Sequence, residues 1–175
     1  MILSTILFTV FSLGGYLSAQ WFDIAGLERS LRLTFEPLAS LSPTFLFAAI
    51  FSNNVVKAFL FMLLGIIFGI APLLFLLING LVLGFVVYLA GSALIAIAGI
   101  MPHGIIEIPA IILAASLGLF LGTTLWRKVR RRDVDMGCKL RVAMKTYFSI
   151  VTPALLVSAA IESFLTPFAI SAAVG

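Results

Sequence analysis

The chain has 175 residues, of which 62% are apolar and only 10% are charged, a much higher apolar share than soluble domains have. A globular fold in water needs enough polar side chains to cover its surface, and long uncharged runs recur here from end to end. A water-soluble fold is therefore excluded, and we expect the lipid bilayer to be the solvent for most of the molecule.

The formal net charge of +4 comes from a local concentration of basic side chains. Eight of the eleven basic residues lie at positions 127–145: Arg127, Lys128, Arg130, Arg131, Arg132, Lys139, Arg141 and Lys145. This pattern is typical of a cytoplasmic loop and not of nucleic-acid binding. We expect anionic lipids as partners of this basic loop. The single cysteine, Cys138, lies in the same loop and excludes an internal disulfide.

Five apolar runs have about the length that crosses a bilayer, and they lie at residues 1–19, 55–78, 80–100, 105–126 and 146–165. The first run lacks the basic residues and the cleavage site of a signal peptide, so we expect it to be retained. In lipid a backbone must satisfy its own hydrogen bonds, and the alternation of barrel strands is absent. The sequence therefore predicts an all-α, polytopic membrane helical bundle that forms one transmembrane domain over residues 1–175.

Residues 20–43 have a different character from the five apolar runs. Arg32 is spaced i,i+4 from both Glu28 and Glu36, while apolar residues keep a helical spacing on the opposite face. With Trp21 and Phe22 as anchors, this pattern predicts an amphipathic helix on the outer membrane surface. A helix that binds a partner protein would show the same pattern.

The apolar stretch at residues 44–78 would be about 50 Å long as one helix, which is too long for a simple span. Asn53 and Asn54 are the predicted interruption, with residues 44–52 forming either a re-entrant piece or an extension of the surface helix. Asn79 and Gly80 have turn chemistry and predict a cytoplasmic turn between the second and third spans. Pro72 and Pro153 are expected to kink their helices.

The position of the basic loop predicts the orientation of the chain in the cell (plasma) membrane. With residues 127–145 in the cytoplasm, counting spans in both directions places the N-terminus in the cytoplasm and the C-terminus outside.

Glycines spaced four apart indicate where helices approach each other closely. The pairs are Gly65 with Gly69, Gly80 with Gly84, and Gly118 with Gly122. We expect the second, third and fourth spans to form a tight core. The same surfaces would suit a homo-oligomer or another membrane protein as the partner.

Polar side chains within the membrane are costly, so the few that occur are candidate sites. The predicted topology places six of them at one level in the outer half: Asn53, Asn54, Lys57, His103, Glu107 and Glu162. His103 and Glu107 are four residues apart and share a helix face if Pro102 or His103 opens a helical turn. We expect the six side chains to converge.

Three roles remain open for this convergence. It could be a structural clamp, with Lys57 paired to an acid, or an ion or proton relay through a kinked bundle. It could also hold a divalent metal ion such as zinc through His103, Glu107 and Glu162, and support hydrolysis of a lipid or peptide. The spacing matches no named metal motif. The prediction therefore leans toward a membrane assembly partner or a small transport-type component, with an intramembrane metal-dependent hydrolase as the alternative.

The order of these polar and glycine motifs resembles the stage II sporulation protein M family. The resemblance covers almost the whole chain and is most specific at Pro102-His103-Gly104, Glu107 and Pro109-Ala110; the other matching positions are Asn53-Asn54, Asn79-Gly80, Gly84, Ile161-Glu162 and Thr166-Pro167. It implies an integral membrane protein and, in spore formers, a membrane partner of the machinery that remodels the cell wall during engulfment. It assigns no catalytic residue.

Overall fold

A computed structural model of the protein describes residues 1–21, 26, 29, 42–130 and 134–174. In this part the regular elements are α1 (Ile2–Ala19), α2 (Pro43–Leu64), α3 (Ile70–Leu89), α4 (Ala93–Val129), α5 (Met136–Thr146), a π-helical segment (Tyr147–Val151), α6 (Thr152–Phe164) and α7 (Thr166–Val174). Five helices are long and apolar enough to cross a membrane when Met136–Phe164 is counted as one. The prediction of an all-α bundle with five spans is confirmed.

The surface helix predicted at residues 20–43 lies almost entirely outside the described residues, and so do Arg131 and Arg132 of the basic loop. Trp21, one of the predicted anchors, is described, and its side chain is 82% exposed.

The predicted interruption at Asn53 and Asn54 is wrong, because both residues lie inside the continuous helix α2. The helix begins earlier than expected, where Ser42 accepts a hydrogen bond from the Phe45 backbone N–H and Pro43 occupies the first turn. The chain breaks instead at Phe68 and Gly69, whose φ angles of 52° and 76° are left-handed. The run is apolar on both sides of this break, so its glycines were the one feature of the sequence that could have indicated it.

The predicted turn at Asn79 and Gly80 is also wrong, since both residues lie in the middle of α3. The Asn79 side chain donates a hydrogen bond to the Phe75 carbonyl, 2.8 Å away on its own helix. The side-chain amide is therefore satisfied within a continuous helix. The turn between α3 and α4 is made at Gly91, which has a φ of 63°.

Helix α4 begins at Ala93 and contains both Pro102 and Pro109, so the predicted start of the fourth span at residue 105 is wrong and neither Pro102 nor His103 opens the helix. The predicted kink at Pro72 does not occur inside a span either, because Pro72 lies in the first turn of α3, where its missing N–H needs no partner. Pro153 lies two residues after the end of the π-helical segment, where the Thr152 N–H bonds the Tyr147 carbonyl. The wider turn is where that helix accommodates its proline.

Glycines allow two pairs of parallel helices to approach closely. A Cβ on Gly80 would lie 2.7 Å from the Cβ of Phe11, and one on Gly84 would overlap the backbone of Ser12. Helix α3 therefore packs along α1, a contact that the sequence did not predict. In the second pair, Gly65 at the end of α2 lies against Gly118 of α4, and Gly122 of α4 lies against Gly69 in the turn.

One end of the bundle carries the described part of the basic loop. There the Arg130 guanidinium lies 4.6 Å from the ring centroid of Trp126, and the Trp126 ring contacts Phe68 edge-on. A Ser116–Ser4 hydroxyl hydrogen bond of 2.8 Å joins α1 to α4 in the same half. We call this the basic end; residues 93–102 of α4 and helix α7 lie at the other end.

Candidate functional site

Four helices meet around a polar cluster in the half of the bundle away from the basic end. Helix α2 contributes Asn54, and α4 contributes His103 and Glu107. The parallel packing of α2 against α4 brings Asn54 to the level of Glu107. Helix α6, which runs antiparallel to α4, contributes Ser158 and Glu162, and Thr166 begins α7. We call the set Asn54, His103, Glu107, Ser158, Glu162 and Thr166 the polar cluster.

The carboxylate of Glu107 is held from two sides. Its Oε1 accepts a hydrogen bond from the Asn54 amide at 2.9 Å, and its Oε2 accepts one from the Ser158 hydroxyl at 3.2 Å. Asn54 and Ser158 come from different spans, so Glu107 connects α2, α4 and α6. A carboxylate with both oxygens occupied in this way has a fixed orientation.

The imidazole of His103 is oriented by Thr166. The His103 Nδ1 lies 3.3 Å from the Thr166 hydroxyl, and that hydroxyl donates its proton to the Ile161 carbonyl, also at 3.3 Å. A hydroxyl has a single proton to donate, so when Thr166 donates to Ile161 the histidine nitrogen is the donor in the first bond. In that arrangement the proton is on Nδ1, and Nε2 has a free lone pair.

Glu162 completes a group of three metal-ligand side chains. One nitrogen of His103 and one carboxylate oxygen each from Glu107 and Glu162 all lie within 4.8 Å of one another. The three side chains are partly buried. No described residue gives a hydrogen bond to the Glu162 carboxylate, in contrast to that of Glu107.

The other two residues predicted to converge lie at the edge of the cluster. Asn53 is exposed and donates a hydrogen bond of 3.3 Å to the side chain of Asn54. Lys57 is also exposed and forms no ion pair with a described carboxylate. The structure thus brings together Asn54, His103, Glu107 and Glu162, but it gives the two acids no basic partner among the described residues.

Ser158 was not predicted from the sequence, and Thr166 was named only as a position of the family resemblance, because the cluster was predicted from charged and amide side chains alone. Their signal was their spacing, because they lie four residues before and four residues after Glu162. Residues at i and i+4 share a helix face. Hydroxyl groups at these positions beside an intramembrane acid indicate a polar stripe.

The core between the polar cluster and the basic end is apolar and closely packed. The side chains that fill it are Ala58 and Met62 of α2, Ala114 of α4 and Leu155 of α6, each 0% exposed. Two hydroxyl groups lie in this core: that of Tyr147, which donates to the Val55 carbonyl at 2.6 Å, and that of Thr152, which is buried.

Comparison with protein families matches residues 4–167 to the family described as Stage II sporulation protein M. Comparisons with curated proteins and with solved structures gave no match. The matched residues include every span, the polar cluster and the basic loop. The chain is an integral membrane protein by its five apolar helices, and it belongs to the stage II sporulation protein M family.

Proposed function

We propose that the protein is a membrane-embedded assembly partner, which binds another membrane protein or a second copy of itself through the outer ends of its helices. The observation that carries this proposal is the length of α4. Its 37 residues extend over about 55 Å, whereas the hydrocarbon core of a bilayer is about 30 Å thick. Even a tilt of about 40° would leave about 42 Å along the membrane normal.

The excess length lies at the outer end and is apolar. Trp126 directly precedes the basic residues, and we use it as the inner boundary of the hydrocarbon core. Glu107 lies 19 residues before Trp126, which is about 29 Å along the helix axis. The polar cluster is therefore near the outer hydrocarbon boundary. Residues 93–102 continue beyond it, and α7 packs against them. In this outer layer Leu94, Ile97 and Phe168 are 60%, 55% and 72% exposed. Apolar surface outside the hydrocarbon favours a protein partner.

The sealed core argues against a conduit for ions. A relay from the polar cluster to the cytoplasm needs polar groups or water at every level of the membrane. Ala58, Met62, Ala114 and Leu155 are apolar and 0% exposed, and the hydroxyls of Tyr147 and Thr152 are the ionisable or polar side-chain groups described beside them. This packing supports a static role for the bundle.

The test is photocross-linking in native membranes. We expect a benzoyl-phenylalanine placed at Ile97 to give one discrete protein adduct, identified by mass spectrometry and reproduced by a reciprocal probe on the adduct. The matched control is Val82, which is 54% exposed on α3 within the span and should give only lipid adducts. Lipid adducts alone at Ile97 would contradict the proposal.

A flux measurement tests the transport alternative. Sealed vesicles containing the protein should take up protons and divalent cations no faster than vesicles containing Glu107→Gln. Flux that is well above the lipid background and is lost in that variant would overturn the proposed role in favour of transport.

A metal-dependent membrane hydrolase is the second candidate, favoured by the proximity of His103, Glu107 and Glu162. Three protein ligands leave a coordination position for a water molecule, which a metal ion activates as a nucleophile. Metal-loaded protein should then cleave fluorogenic lipid esters or peptides, and Glu162→Gln should not. Absence of turnover by the loaded protein would exclude this function for those substrates.

A further inference from the structure

The polar cluster has an unbalanced charge for its position in the membrane. Glu107 and Glu162 bring two carboxylates within 4.8 Å of each other, and Lys57 on α2 is exposed and does not pair with either. Two partly buried carboxylates this close together repel each other, and a proton or a cation between them relieves that repulsion. A divalent cation balances two carboxylates and one neutral imidazole without any remaining charge.

We infer that His103, Glu107 and Glu162 form a binding site for one divalent transition-metal ion, with zinc as the best match. Histidine nitrogen and carboxylate oxygen are both donors that zinc uses in proteins. Zinc bonds of about 2.0–2.2 Å place neighbouring ligand atoms a little over 3 Å apart. The observed separations, all within 4.8 Å, can close to that range by small side-chain rotations. This site is independent of the proposed role as an assembly partner.

The surroundings of the three side chains match those of a metal site. Ligating histidines usually donate their other N–H to an oxygen, and ligating carboxylates are themselves hydrogen-bonded. His103 does so through Nδ1 to Thr166, and Glu107 is bonded to Asn54 and Ser158. These contacts orient two ligands before any ion binds.

One member of the cluster lacks a partner and therefore points to a ligand. The Glu162 carboxylate is partly buried and receives no hydrogen bond from a described residue. Polar groups held away from water are nearly always satisfied, so a carboxylate in this position, beside an imidazole and a second carboxylate, is suited to bind a cation.

The chemistry of the donors selects among metals. Mg²⁺ and Ca²⁺ prefer sites made of oxygen atoms alone, with six or more ligands. An imidazole nitrogen with two carboxylates suits zinc, cobalt, manganese or iron in the divalent state. With three protein ligands the ion keeps an open position, which faces either water or a group on the partner.

Cobalt substitution tests the site with a readout separate from activity. Detergent-purified full-length protein, stripped with chelator, should bind one Co²⁺ per chain with the visible absorption of a low-coordinate nitrogen–oxygen site. Zinc should displace it. Glu162→Gln and His103→Gln should weaken binding at least tenfold, and Lys57→Gln, an exposed change on α2, should leave it unchanged. Binding should also weaken in acid, because protons compete for the ligands.

Gel filtration of each variant shows whether weaker cobalt binding comes from loss of folding. The wild-type protein is measured first, so the test of binding itself does not depend on any variant. Asn54→Ala offers a milder test, because a lost hydrogen bond to a ligand typically lowers metal affinity about tenfold or more. Folded wild-type protein that binds no metal, and shows the infrared band of a protonated carboxyl group, would overturn the site in favour of a shared proton. Cobalt binding that survives in Glu162→Gln would overturn it as well. Neither outcome affects the cross-links expected at Ile97.

Discussion

At the scale of single residues, two adjacent asparagines have different roles. Asn54 is partly buried and donates a hydrogen bond to Glu107, whereas Asn53 is exposed and its side chain donates a hydrogen bond to Asn54. The sequence singled out both as polar residues in an apolar run. It could not say which one faces the core, because apolar residues occupy every side of α2 and its rotation is set by contacts with the other helices.

We expect Asn54→Ala to lower the free energy of unfolding by about 0.5–1 kcal/mol, the typical value of a hydrogen bond between membrane helices. Asn53→Ala is the matched control and should change stability by less. Thermal unfolding in mild detergent measures both. A double-mutant cycle with Glu107→Gln should show coupling for Asn54 and little for Asn53. Equal losses for the two asparagines, or an unchanged melting temperature in Glu107→Gln, would argue against a structural role of the cluster.

At the scale of elements, the sequence predicted the number of spans but misplaced their boundaries in the middle of the chain. Asn53-Asn54 and Asn79-Gly80 have the composition of breaks, yet both lie within helices because tertiary contacts or the helix itself satisfy their amides. The real turns lie at Gly69 and Gly91, which have positive φ angles. In a chain with so many glycines, composition cannot separate a glycine that turns the chain from one that admits a neighbouring helix.

Two neighbouring glycines of α1 test the helix contact. A Cβ on Gly15 would lie within 3 Å of the Leu81 backbone, whereas a Cβ on Gly14 would meet nothing within 4 Å. We expect Gly15→Ala to destabilise the protein by about 1–3 kcal/mol, because one helix must move away from the other. Gly14→Ala should be neutral or stabilising by up to about 1 kcal/mol through helix propensity. Unfolding in detergent measures the difference, and equal effects would show that α1 and α3 are not closely packed.

At the scale of the whole molecule, the fold class, the membrane character and the existence of a polar cluster could be predicted from composition and charge placement. The cluster was predicted by counting spans. The wrong helix boundaries did not change that count, because each error moved a break along the chain without adding or removing a span. The hydroxyl groups of Ser158 and Thr166 could not be found in this way, since neither carries a charge that would mark it as costly in lipid.

The orientation in the membrane is tested by labelling with a thiol reagent that cannot cross lipid. Cys138, which is exposed, should react only after the membrane is opened, because the basic loop is predicted to be cytoplasmic. In a Cys138→Ser background, Ser171→Cys on α7 should react in intact cells. Reaction of both positions from the same side would contradict the predicted topology.

The parallel contact of α1 with α3 has a consequence for biogenesis. The glycine face that receives α1 is synthesised about seventy residues later, so the first helix is made before its neighbour. Until α3 is inserted, α1 is stabilised in the membrane by the hydrophobicity of its own side chains. Maturation of the protein therefore includes a late docking step, and a nascent chain halted before Gly84 would present an unpaired first helix to membrane quality control.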